Sequence, residues 1–383
     1  MTEVLIIGGG IAGSSLAILL GRQGVAVELF EQGKFPKEKP CGEGLMPAGV
    51  AVLERLGLAN SVEGAPFYGI RHHFATHTTE ARFPKSARVL TMGRGLRRRR
   101  LDEALFRAAA ATTYVTAYAG TRVTGLLREN GRVTGVSVEG EARRAKLVVA
   151  ADGVHSRTRH LLGLDVPDGR KRIGACAHFR LASGREPPPW VEVFVSAGHE
   201  IYVTPLPQRE LMVACLADAK IFEKPIEEAF DRRWRAQPSL AARLEGAEQI
   251  TSLQCISPLA GCARSGVAPG IVLLGDAAGF LDPITGGGMT QALQSAELLA
   301  GYLARGLAAK SEWLRSFETE RMAMLRDYRR LTRIMLWLAD HPKLPMGLLS
   351  LVRLPPSILS HLAGVAGGSR SLLGLKGQAF AEG

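Results

Sequence analysis

The sequence predicts an α/β fold, and three observations carry that prediction. First, the apolar run "VLII" (Val4–Ile7) enters glycines at GxGxxG spacing, and Ile11 to Leu20 then carry apolar residues at helical spacing. Second, two later runs of buried-strand character end in acid–glycine pairs, "LVVAADG" and "VLLGDAAG". Third, stretches alternating apolar and polar residues lie between these runs, as in strands with one buried face. At 383 residues, 46% hydrophobic and 22% charged, the chain is long enough for intertwined domains and ordinary in composition for a globular enzyme.

In chain order, Gly8 allows the tight turn, Gly10 lets a pyrophosphate approach the backbone and Gly13 lets the helix pack on the strand. The helix N-terminus would receive the phosphates on its unpaired N–H groups. Gly24 caps the helix, and "VAVELFE" (Val25–Glu31) forms the second strand of a Rossmann-like unit. Glu31 at its end is placed to take the ribose hydroxyls of an adenosine. These residues alone leave NAD and FAD both open.

Further on, "LVVAADGVHSRTR" offers Asp152, Gly153, Ser156 and Arg159, and "VLLGDAAGFLDPITGGGMTQAL" joins Asp276, Pro283 and Gly286–Gly288 to a new helix. With the first fingerprint, these motifs give the chain its likeness. It resembles the FAD-dependent monooxygenases built like p-hydroxybenzoate hydroxylase, together with the related geranylgeranyl reductases and flavin-dependent halogenases. The resemblance implies a glutathione-reductase-type FAD domain with an interleaved β-sheet substrate domain. FAD is the implied cofactor, and NAD(P)H the transient reductant, visiting a shared cleft because no second GxGxxG follows.

The resemblance assigns Gly8, Gly10, Ile11, Ala12, Gly13, Glu31, Arg98 and Val123 to the dinucleotide. Asp152 falls near the pyrophosphate and the nicotinamide-facing cleft, and Gly275 and Asp276 form the pair whose carboxylate takes the ribityl hydroxyls. Of the four arginines Arg97–Arg100, Arg98 matches the one placed against the flavin chain; a solvated helix face is the plain reading of the rest. Gly286, Gly287, Gly288 and Met289 open a helix whose N–H groups can face the pyrimidine edge of a reduced flavin, with Pro283 as a wall beside the ring. Pro283, Gly287, Gly288, Tyr202 and His199 are the residues expected at the reacting centre. Tyr202, His199 and His178 lie on strands of the substrate domain, where they could hydrogen-bond a phenol. No metal site is expected.

The FAD domain is expected over 1–65, 95–168 and 258–325, and the β-sheet domain over 66–94 and 169–257. A helical C-terminal cap follows over 326–383, basic, apolar and broken by Pro342, Pro345, Pro355 and Pro356. It covers the pocket or, in the alternative, makes a peripheral membrane contact. The formal charge of +12 suits acidic ligands or anionic lipid, while the absence of zinc-finger, zipper or RNA-binding patterns argues against nucleic acid. Five cysteines without a CxxC pair, and a first strand reached without a basic leader, point to a reducing, cytoplasmic setting.

Three chemistries compete: hydroxylation of an aromatic, polyketide or lipid-like molecule, reduction of polyprenyl double bonds, and halogenation. "KPCGEGLMPAG" (Lys39–Gly49) matches the CGxGL-type segment of the reductases, with Cys41 at their cysteine, and also the GESLLP-like segment of halogenases. The halogenase WxWxIP segment is missing, and "GHEIYVTPLP" lacks the tryptophan of the reductases' YxWxFP-like strand. Monooxygenation is the preferred expectation and alkene reduction the runner-up.

Overall fold

In the computed structural model, residues 2–74, 77–84, 91–166, 171–305, 312–340 and 355–372 are described. Strand β1 (Val4–Ile7) runs into helix α1 (Ile11–Arg22), and β2 (Val27–Glu31) returns parallel to β1 with Ile6 opposite Leu29. Helices α2 (Pro47–Arg55) and α3 (Arg98–Ala110) follow, and β3 (Val115–Ala119) extends the sheet beyond β2. An antiparallel meander over Val123–Glu129, Arg132–Val138 and Glu141–Arg144 then crosses to β4 (Leu147–Ala150), which pairs with the free side of β1. After α4 (Arg157–Leu161) the chain enters a second sheet, adds α5 (Ile226–Arg235) and α6 (Pro238–Arg243), and returns as β5 (Val267–Ala268) and β6 (Ile271–Leu273). The first sheet therefore has the order β5-β6-β4-β1-β2-β3, parallel except between β5 and β6.

Its strands read as unbroken apolar runs because both faces are covered. Val4, Ile6, Leu29, Val149 and Val272 meet the helices on one face, whereas Leu5, Ile7, Phe30, Val148 and Leu273 meet Val133, Val136 and Val138 of the meander on the other. Each such side chain contributes about 1.5–3 kcal/mol by leaving water. Helix α1 is buried nearly all round rather than along one stripe because α3 and the later helix Gly288–Ala304 pack on it in addition to the sheet.

The second sheet forms the roof of a cleft. Its long strands are Arg172–Arg180, Val191–Ser196, His199–Leu206 and Glu210–Asp218, extended at one edge by Gly69–His73 and Thr78–Arg82. Alternation sorts their side chains. Ala177, Phe179, Ile201, Val213 and Cys215 pack under Phe230 and Trp234 of α5, and Cys176, Tyr202, Met212 and Ala214 face the other way.

Helix α7 (Gly288–Ala304) packs on α1, and α8 (Glu312–Asp340) lies across α7. Helix α9 (Pro356–Ala366) reaches the roof edge, where Ala363 joins Ile70 and Phe83. Leu325, the expected boundary of the C-terminal cap, falls inside the continuous α8 rather than at a break. Pro342 and Pro345 lie outside the described residues. Among the described residues no helix is long and apolar enough to cross a membrane.

Candidate active site

A cavity of ≈ 760 Å³ runs from the N-terminus of α1 to the roof. At its far end the first glycines are shaped by the backbone. Gly8 sits at φ +103°, and a Cβ there would stand 2.3 Å from the Ala151 carbonyl oxygen; one on Gly13 would meet the Gly8 oxygen at 1.9 Å. At Gly10 a Cβ would meet only the Lys39 ammonium, at 3.5 Å, so this residue leaves the cavity open above an N-terminus that has no side-chain cap. Ile11, Ala12 and Val123 line the same end, whereas Gly13 is a packing residue beneath it. Glu31 is buried there and accepts the Gly9 N–H at 3.0 Å and the Gly33 N–H at 2.7 Å, with the Lys37 ammonium 2.5 Å away.

Arg98 opens α3 and is the member of its arginine run that reaches the cavity; Arg97 and Arg99 turn to Glu38, and Arg100 to Glu103. Its Nε donates to Asp102 at 2.8 Å, and the Lys39 ammonium lies 3.4 Å from the other Asp102 oxygen. Burial pushes the Asp102 carboxyl up, but Arg98 and Lys39 outweigh it and hold that carboxyl below the usual range. Asp276 faces the opposite balance: burial pushes its carboxyl up, and Arg98, Lys39 and Arg159 offset this only in part. No side chain or N–H of the described residues hydrogen-bonds to the Asp276 carboxylate, which lies in the cavity wall beside Gly275.

The Asp152 carboxylate is spent on its own loop, accepting the Ser156 hydroxyl at 2.5 Å and the Thr158 N–H at 3.0 Å. Asp152 thereby fixes Gly153 and Val154 in the wall and satisfies the Thr158 N–H in the first turn of α4, whose N-cap is Ser156. Arg159, buried, ties this loop to the next motif, donating to the carbonyls of Val154 at 2.9 Å and of Asp276 and Ala277 at 3.2 Å.

The loop before α7 forms the other end. Asp282 accepts the Ile284 N–H at 3.1 Å and receives Arg172 Nη1 on both oxygens at 2.8 Å, while the far side of Arg172 meets Glu200. A ring of roof ions therefore holds Pro283 in place. Gly286 takes φ +68°, and a Cβ on it would strike the Met46 methyl at 2.9 Å. Pro283, Gly286, Gly288 and Met289 line the cavity, and α7 starts at Gly288 with no side-chain cap, so its dipole and open N–H groups face that space. Gly287 instead turns to Tyr328 of α8, 2.8 Å from where its Cβ would be.

On the roof, Tyr202 lines the cavity, but its hydroxyl donates to the Ile284 carbonyl at 2.9 Å, and burial pushes the phenol well above its ordinary range. Thr204 likewise donates to the Gly42 carbonyl at 2.7 Å. His199 is a correction to the expected set. Its strand parity matches that of Ile201 and Val203, so it faces away from the cavity, toward the Arg233 charge of α5. His178 has the opposite parity, and its Nε2 lies 2.9 Å from Glu43 Oε2. Glu43 and Cys41 are brought to the same wall by the loop before α2, and burial pushes the Cys41 thiol up. Motif reading passes over Glu43, Lys39 and Arg172, because each acts through a partner distant in sequence, and over Asp102, which joins its neighbour Arg98 to the distant Lys39.

The cavity suits an FAD. One end presents an open glycine under an uncapped helix, the middle a half-buried carboxylate with no donor among the described residues, and the other end a second uncapped helix. Comparison with known proteins agrees. The FAD binding domain family matches residues 1–332. A menaquinone reductase of Mycolicibacterium smegmatis is 28% identical over 325 residues, covering 79% of this chain and 76% of that protein. A 6-methylpretetramide 4-monooxygenase of Streptomyces rimosus is 29% identical over 328 residues, covering 80% and 76%. In fold, a flavoprotein/dehydrogenase of Cytophaga hutchinsonii superposes with a TM-score of 0.84 at 22% identity, covering 96% of this chain and 93% of that one.

Proposed function

Since the chain belongs to the FAD binding domain family, we propose that this FAD-dependent oxidoreductase is an NAD(P)H-dependent monooxygenase acting on neutral, apolar aromatic, polyketide or lipid-like molecules. The observation that carries this reading is the roof above the flavin loop. Its lining is Gly174, Cys176, Val191, Ala214 and Leu216, and its polar members Tyr202 and Thr204 already spend their hydroxyl protons on main-chain carbonyls. Such a surface orients a substrate by shape and keeps water out.

When bound, FAD supplies the two-electron chemistry, accepting reducing equivalents from NAD(P)H and delivering them to oxygen or substrate. Gly10 and the N-terminus of α1 would receive its pyrophosphate, Glu31 its adenosine ribose and Asp276 its ribityl hydroxyls. The N–H groups at the start of α7 stabilise negative charge gathering beside Gly288, and Pro283 walls that side.

Alkene reduction is the second reading, favoured by Cys41 standing in the cleft wall as in the reductase-type CGxGL segment. Mass spectrometry separates the two. FAD-loaded protein with NADPH, an apolar polycyclic phenol and a polyprenyl lipid under ¹⁸O₂ is expected to yield product carrying one labelled oxygen. Unlabelled product heavier by two hydrogens, formed equally well without oxygen, would replace monooxygenation with alkene reduction.

The reading includes a cytoplasmic enzyme whose C-terminal helices touch a membrane surface, for Ile334 and Trp337 of α8 and Ile358 of α9 are exposed apolar residues on a basic chain.

A further inference from the structure

Glu43 is 1% exposed, lies in the wall of the flavin cleft and holds a left-handed backbone at φ +53°, a conformation that favours glycine. Its carboxylate is held from two sides. Oε1 accepts the Arg98 N–H at 2.6 Å, and Oε2 meets His178 Nε2 at 2.9 Å. His178 continues outward: its Nδ1 lies 3.0 Å from the Thr251 hydroxyl oxygen, which also accepts the His178 backbone N–H at 3.0 Å. As a carboxylate Glu43 offers only acceptors, so Nε2 carries a proton that points at it, and Thr251, with one hydrogen and two lone pairs, can then serve Nδ1 as a donor. Thr251 is half-buried and precedes the exposed Ser252, so the chain of groups runs from the outside of the roof to the cleft. The groups facing Glu43 are Arg98 and Cys41 from the floor side and His178 and Cys176 from the roof.

We propose that Thr251, His178 and Glu43 form a proton path from the surface to the flavin cleft, with Glu43 as its cleft-side member and His178 acting through it. The inference rests on the FAD-dependent reading but not on which reaction follows. In hydroxylation NAD(P)H, O₂, one proton and a C–H bond give NAD(P)⁺, water and C–OH; in alkene reduction NAD(P)H, one proton and C=C give NAD(P)⁺ and two new C–H bonds. Either way one proton enters the dry cleft per turnover, while the hydride supplies the electron pair. As a group in the cleft takes a proton through Glu43, Nε2 of His178 supplies it, Nδ1 takes the Thr251 hydroxyl hydrogen, which water restores, and exchange of the imidazole between its two tautomers resets the path. A purely structural pair would move no proton.

Two measurements decide it. In FAD-loaded protein photoreduced without oxygen, proton uptake read by a pH-indicator dye should keep pace with flavin bleaching. Glu43→Gln and His178→Gln should each delay uptake about tenfold or more at unchanged FAD content. Wild-type uptake rates in both variants would overturn the path, whereas protein that binds no FAD at all would sink the underlying reading along with it. In FAD-free, ¹⁵N-histidine-labelled protein, the Nε2–H of His178 should give a downfield resonance that Glu43→Ala abolishes. Its persistence unshifted would remove the pair itself.

Discussion

Floor and roof of the cleft treat their polar groups in opposite ways. The floor closes Glu31 and Asp152 on its own donors but leaves three places open: α1 and α7 begin at Gly10 and Gly288 without side-chain caps, and Asp276 has no donor among the described residues. The roof closes its own: Tyr202 donates to Ile284, Thr204 to Gly42, and Arg172 is held between Asp282 and Glu200. An unmade hydrogen bond in a buried place costs more than a made one contributes, so open groups mark where a polar ligand completes them and closed groups mark a surface for apolar matter. Under the proposed function, the contrast would put the cofactor on the floor and the substrate beneath the roof.

The largest expected effect tests the closed side. Arg172→Met removes the buried charge that Asp282 and Glu200 share and should lower unfolding stability by about 3 kcal/mol in urea titration. A loss below about 1 kcal/mol would mean that the ring of ions is solvated and the roof is not closed. On the open side, Asp276→Ala should weaken FAD about 100-fold, the equivalent of two charge-assisted hydrogen bonds, and give largely colourless protein. A fully yellow variant would break the assignment of the floor. Glu31→Ala should weaken FAD about tenfold and leave the bound flavin's spectrum unchanged, since it acts at the adenosine end. Losing only NADPH oxidation would transfer the first fingerprint to the other dinucleotide.

Two smaller effects sharpen the contrast. Tyr202→Phe should retain FAD and cost about 1 kcal/mol, because it removes one closed hydrogen bond. The Asp276 carboxyl is pushed up by burial, so without FAD it keeps its proton to a higher pH than an exposed aspartate. Ribityl hydroxyls donate to the ionised form. FAD affinity should therefore be full above that raised value and fall as pH drops through it, and Asp276→Asn should flatten the dependence measured by fluorescence titration.

The α/β fold was legible in the sequence because its signals are local: apolar runs of strand length, helical spacing after Gly8–Gly13, and an acid at the end of the second strand. Asp276 and the glycines before α7 were legible for the same reason. Pairings across the chain were not. Glu43 and His178 stand 135 positions apart, and Arg172 and Asp282 stand 110 apart, so neither pair leaves a spacing pattern. Alternation predicted the strand that bears both His199 and Tyr202 but not which parity faces the cleft, and His199 faces the helices. The Asp-Gly motif announced Asp152 without telling that its carboxylate is taken by Ser156 and Thr158 at the start of α4.

The most direct test of floor against roof is a titration of FAD-loaded protein with two ligands of equal length, a neutral polyprenyl alcohol and the corresponding polyprenyl carboxylate, followed by the flavin absorbance. The roof offers no cation and no unspent hydroxyl among its described lining residues, so the alcohol should perturb the flavin and the carboxylate should bind at least about 100-fold more weakly, the cost of burying an unpaired charge. Equal or tighter binding of the carboxylate would contradict the account, because it would require an open cation on the side of the cleft that the structure closes.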